Sequence, residues 1–157
     1  MTFQHPDNVI DTIWRDVEQA DEECSVFAIL DAAADPSIYD DVLASGVTYR
    51  CLYTGDIPVE LAAVAPYLVR LERNDPFTRL LIHNCWGKSW GIFFTSTAFF
   101  EGVHRHFRRF LKVRDEEGKS LYFRYYDPRV LRVYLPTCDR SELFFVFGPV
   151  RRFFAED

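Results

Sequence analysis

The chain has 4 cysteines, Cys24, Cys51, Cys85 and Cys138, but no C-x-x-C pair. Spacing this wide excludes the common zinc and redox motifs. The first apolar positions are interrupted by Asp7, Asp11, Arg15 and Asp16, so no secretory leader is read. No apolar run approaches the roughly 20 residues that a membrane span needs. A cytoplasmic protein with free thiols is therefore the expectation, and Cys24 and Cys51, in apolar contexts, are expected to be small core residues. There is no internal repeat, low-complexity tract or linker. No serine sits in a G-x-S-x-G elbow. Gly87-Lys88-Ser89 is similar to the end of a phosphate loop, but the glycine required five residues earlier is missing. No helix-turn-helix, RNA-binding aromatic motif or zinc knuckle is present, and a sequence pI near 5.2 argues against a nucleic-acid partner.

What is present is aromatic. Phe, Tyr and Trp make up 17% of the 157 residues, 15 of them Phe. Such an excess fills a core or leaves aromatic surface for a partner. Length and a hydrophobic content of 48% describe one globular domain over 1–157. The net charge of -6 conceals an asymmetry. Residues 1–85 hold 5 basic and 15 acidic side chains; residues 86–157 hold 13 basic and 9 acidic ones. An acidic first part and a basic, aromatic second part suggest two different surfaces, or merely differently charged solvated faces.

Helical spacing of Val9, Ile10, Ile13, Trp14 and Val17 predicts a helix over 7–20. Residues 24–30 are continuously apolar and read as a buried strand. A helix from Pro36 to Gly46, a strand over 48–53, a short helix over 58–64 and a strand over 66–71 follow. Asn74-Asp75-Pro76 opens a further helix. A strand over 91–94 precedes a helix over 97–111. Tyr122–Tyr126 is expected to pair with Leu111–Val113 across a turn. Helices after Pro128 and near 139–146, then an aromatic tail, complete the chain. This alternation predicts an α/β fold in a single domain, with one mixed sheet covered by helices.

Phe123-Arg124-Tyr125-Tyr126-Asp127-Pro128-Arg129-Val130-Leu131 gathers an acid, bases and two phenols. Residue chemistry alone leaves it open between binding and catalysis. Asp127 is suited to cap a helix opened by Pro128, with Arg129 paired to a carboxylate such as Asp31. His104 and His106 lie about 200° apart on a helix, so they do not chelate one ion and are expected to flank an amphipathic face. Arg105, Arg108 and Arg109 form a basic helix face. In Trp86-Gly87-Lys88-Ser89-Trp90-Gly91-Ile92, Gly87 suits a helix end and Gly91 a close approach. The indoles either plug this corner or anchor a partner.

Taken in order, Phe27–Ala33, Ala65–Leu68, Trp86–Ile92, Arg105–Val113, Phe123–Leu131 and Phe147–Pro149 resemble the type VI secretion effector-adaptor, or effector-chaperone, family. The resemblance covers about 25–155. It implies a cytoplasmic, non-enzymatic protein of a Gram-negative bacterium that needs no cofactor and no metal. Its partners would be a toxic effector and the VgrG spike onto which the effector is loaded, with no membrane or nucleic acid involved. Many relatives carry a further C-terminal lobe, which would begin where this chain stops. On that reading Trp86, Trp90, Arg105, Arg108, Arg109, Tyr126 and Arg129 are candidate partner contacts, and Asp31, Gly87, Gly91, Asp127 and Pro128 are structural. The alternatives are a nucleic-acid or other binding module using the basic, aromatic part, or a small enzyme with an aromatic pocket.

Overall fold

The computed structural model describes residues 5–157. It contains helices α1 (Pro6–Glu18), α2 (Pro36–Ala44), α3 (Val59–Ala62), α4 (Pro76–Cys85), α5 (Phe100–Arg108), α6 (Pro128–Tyr134) and α7 (Arg140–Phe147). The strands are β1 (Ser25–Asp31), β2 (Tyr49–Cys51), β3 (Pro66–Leu71), β4 (Gly91–Ser96), β5 (Lys112–Arg114), β6 (Ser120–Tyr122) and β7 (Val150–Phe154). Proline occupies the first turn of α1, α2, α4 and α6. There its fixed φ suits the helix and its missing N–H goes unmissed. Asp35, Asp75 and Asp127 each cap the helix that follows by accepting a backbone N–H.

Five strands form one sheet in the order β2-β3-β1-β4-β7. The α/β single-domain architecture is as expected from the alternation, but the sheet is antiparallel at every pairing rather than mixed. The reason lies in the insertions. β3 lies between β1 and β2, and β1 lies between β3 and β4. The helical crossovers thus join parallel strands that are never neighbours. These are two interleaved split β-α-β units, the ferredoxin-like pattern, with β7 added along β4.

Both faces of the sheet are covered, which is why its central strands read as unbroken apolar runs. Val26, Ala28 and Leu30 of β1 face α1, α2 and α4, packing with Ile13, Ile38 and Ile82. Phe27 and Ile29 face the other way, onto Val103 and Phe107 of α5 and the segment carrying Tyr125, Tyr126 and Leu131. The second layer is densely aromatic: Phe94 and Phe107 lie 4.8 Å apart, and Phe107 stacks on Tyr125 at 5.5 Å. Offset and edge contacts of this kind add to the area buried.

Two segments depart from expectation. The hairpin pairs β5 with β6, so its second strand lies before Phe123 rather than over Tyr122–Tyr126. Tyr125 and Tyr126 have left the ladder because their rings are buried in the second layer. The aromatic tail is β7, paired to β4 from Phe154 to Val150. No helix among the described residues is long and apolar enough to cross a membrane.

Candidate functional site

The Phe123–Leu131 stretch is a joint. Arg124 Nη2 donates to Asp31 Oδ2 at 2.5 Å, and Asp31 Oδ1 accepts from the Ala33 N–H at 3.0 Å. Asp31 is 2% exposed, at the end of β1. Its cation is therefore Arg124 and not Arg129, which the sequence suggested. Arg129 instead donates from Nε and Nη2 to Asp127, at 3.0 and 2.8 Å. An arginine in the first turn of α6 can reach the cap of its own helix, whereas Arg124 precedes the turn and reaches across to β1. Burial opposes ionisation of Asp127, but the hydrogen bonds from Arg129 outweigh it and hold the carboxyl below its ordinary range.

The two phenols are core groups. Tyr125 donates to the Phe107 carbonyl at 2.9 Å, and Tyr126 is 5% exposed. Burial first, then neighbouring charge and phenol groups, raises both phenols well above their ordinary values. Neither is poised as an acid or base at neutral pH. The thiols of Cys24, Cys51 and Cys85 are raised too, chiefly by burial, which disfavours the nucleophilic thiolate.

The Trp-Gly-Lys-Ser-Trp-Gly corner is also a joint. Trp90 is 7% exposed, with the Lys88 ammonium 5.0 Å from its ring centroid. Trp86 is half-buried against Phe93, with ring centroids 6.0 Å apart. Gly87 takes φ 91° after α4, a conformation open to glycine. A Cβ at Gly91 would overlap the Ile29 carbonyl oxygen of β1, so only glycine fits. The corner is closed by a residue that no motif announced. Glu156 accepts from the N–H groups of Gly87 at 2.7 Å and Ser89 at 2.6 Å, and from the Ser89 hydroxyl at 3.0 Å.

His104 and His106 do diverge, but neither is a solvated flanking residue. Both are buried, and their Nε2 atoms bond the carbonyls of Cys51 at 2.8 Å and Val146 at 2.7 Å. Helix α5 is short and held from two sides, so positions beside its apolar stripe are covered by β2 and α7. Burial pushes both imidazoles below the ordinary histidine value. The neutral ring then donates its Nε2 proton to each carbonyl.

Arg105, Arg108 and Arg109 remain exposed. They border two adjoining grooves of about 440 and 380 Å³ that share Tyr53, Thr54 and Arg108. The opposite wall is the segment after β2, with Ile57 and Leu61, and the far end carries Lys112 and Tyr122. Tyr53 and Tyr122 stand 6.1 Å apart, and the Lys112 ammonium lies 5.6 Å from the Tyr122 ring. Tyr53, Ile57, Leu61 and Tyr122 did not stand out in the sequence, because they come from the loop after β2, the short helix α3 and the β5-β6 hairpin, which only the fold brings together. Of the predicted contacts, the three arginines share this groove, Trp90 and Tyr126 are core, and Arg129 is engaged by Asp127.

A different groove, of about 390 Å³, lies on the other face of the sheet between α2 and α4. It is lined by Asp41, Asp75, Phe77 and the exposed Leu80. The two grooves thus lie on opposite faces of the sheet and differ in the charge of their lining.

The model of a domain of unknown function, DUF4123, matches residues 26–143. No curated protein and no solved structure matches the chain. The matched span runs from β1 into α7, so it takes in the Phe123–Leu131 joint, the Trp86–Ile92 segment without Glu156, and the arginine-lined groove, and the chain belongs to the DUF4123 family.

Proposed function

We propose that this protein is a non-enzymatic adaptor that binds a type VI secretion effector and helps load it onto the VgrG spike. The observation that carries this reading is the pair of grooves on opposite faces of one sheet, one basic and aromatic, the other acidic and apolar. An adaptor needs two partner surfaces that do not compete, and a sheet covered on both sides separates them. Exposed charge at a groove rim mainly sets association rate and partner choice. The raised phenols and thiols fit a binding role better than proton transfer or nucleophilic attack.

The test is co-expression of this protein with effector and spike proteins encoded beside it. An effector complex that recruits VgrG only when the adaptor is present is the expected result. Effector binding to VgrG to the same extent without it would refute the proposal.

A further inference from the structure

We infer that the arginine-lined groove between α5 and the segment after β2 takes an acidic protein segment whose apolar side chains alternate with Asp or Glu. The inference deepens the adaptor reading by naming the chemistry of one partner, and it rests on that reading for its biological setting.

Three arginines lie within five positions at the C-terminal end of α5, at the i, i+3 and i, i+4 spacings where like charges repel. Among the described residues no carboxylate is paired with any of them, although Arg50 beside them is paired with Glu101. Lys112 adds a further cation at the other end of the groove. The protein as a whole is acidic, so this positive region is a local departure from the field of the molecule. A ligand bearing carboxylates would relieve the repulsion, and arginine matches carboxylate geometry by forked donation.

The opposite wall is apolar. Ile57 is half-buried and Leu61 exposed, and both line the groove with Tyr53 and Tyr122. Glu101 also lines the groove, but Arg50 pairs with it, so an occupant meets net positive charge on one side and aliphatic and aromatic surface on the other. An extended segment with side chains alternating between two faces satisfies both walls. A nucleic-acid strand presents negative charge too, but it would leave Ile57 and Leu61 against a phosphate-rich ligand inside an acidic molecule. The protein segment is the better match.

The experiment uses the full chain and a fluorescein-labelled 12-residue peptide alternating Glu and Leu, followed by anisotropy. The comparison probes are the same peptide with Gln for Glu, and a 12-nucleotide oligo-dT. The expected result is saturable binding of the Glu peptide that weakens with salt. Arg105→Glu/Arg108→Glu/Arg109→Glu should weaken it at least tenfold with an unchanged circular dichroism melt. Should that variant melt early, Arg108→Gln with Lys112→Gln replaces it, with at least a threefold loss expected. Equal binding of the Gln peptide, indifference to the substitutions, or tighter arginine-dependent binding of oligo-dT would each overturn the inference. A peptide that binds as expected while effector loading proceeds without this protein would sink the adaptor reading and leave the groove assignment standing.

Discussion

Removing Arg124 should weaken the fold through Asp31, whereas removing Arg129 should not act through that carboxylate, although both stand beside an acid in the same stretch. Asp31 is 2% exposed, and Arg124 is the one cation within ion-pair distance of it among the described residues. In Arg124→Ala the carboxylate keeps the Ala33 N–H but loses a charged donor. Breaking a buried pair costs about 3–5 kcal/mol when the remaining charge is sealed from water. Here the Arg124 side chain is 52% exposed, so water can reach the vacated position and the cost falls. A hydrogen bond to a charged group contributes about 1.5–3 kcal/mol, and about 2 kcal/mol is the expected loss. For a domain of this length that lowers Tm by roughly 4–8 °C. A double-mutant cycle with Asp31→Asn isolates the contact. Coupling above about 1 kcal/mol is expected for Asp31 with Arg124, and a value within about 0.5 kcal/mol of zero for Asp31 with Arg129, the range typical of independent sites. Urea denaturation of the four proteins in each cycle provides the measurement. Equal coupling in both cycles, or the larger value with Arg129, would refute the assignment of the ion pair.

Asp127→Ala should cost about 0.5–2 kcal/mol through loss of the α6 cap, seen as a lower urea midpoint at an unchanged slope. Because the folded pKa of Asp127 is depressed, its contribution should be present above the unfolded carboxyl value and fade as pH falls through the folded one. His104 and His106 act in the same direction at higher pH. Their folded pKa values are lowered, so below about pH 6.5 the unfolded chain binds protons that the native state refuses. Stability should fall between pH 7 and 5, and replacing both histidines by Gln should flatten that slope in urea titrations. Gly91→Ala should cost about 1–3 kcal/mol or more, because the new methyl meets the Ile29 backbone rather than a movable side chain. Faster amide exchange in β1 and β4 would accompany it. Glu156→Ala should release β7 from its end, so trypsin cuts at Arg151 and Arg152 sooner than in the parent protein.

Several local features were legible in the sequence because their causes lie within a few residues. The Asp-Pro pairs at Asp75 and Asp127 announce helix starts, since cap and first-turn preferences are set by adjacent backbone. Gly91, between Trp90 and a strand, marked a close approach. The partners across the fold were not legible. Arg124 and Arg129 sit five positions apart, and spacing does not say which of them reaches Asp31, 93 residues earlier than Arg124. His104 and His106 read as polar flanks because nothing in α5 shows that β2 and α7 close over it. Glu156 carried no motif, yet it fills the corner of Gly87 and Ser89. Tyr53, Leu61 and Tyr122, which line the groove, come from segments that are ordinary in isolation.

By itself the sequence determined the alternation of strands and helices, the caps, the two-sided burial of the central strands and the uneven distribution of charge. Each follows from propensity, periodicity or composition, which act over short range. Tertiary structure alone decided that the sheet is antiparallel, that β7 closes against β4, and which arginine neutralises Asp31. It also set two grooves of different charge on opposite faces, because where a side chain ends up depends on strand order. Strand order is settled by the packing of both layers together, and no single segment carries it.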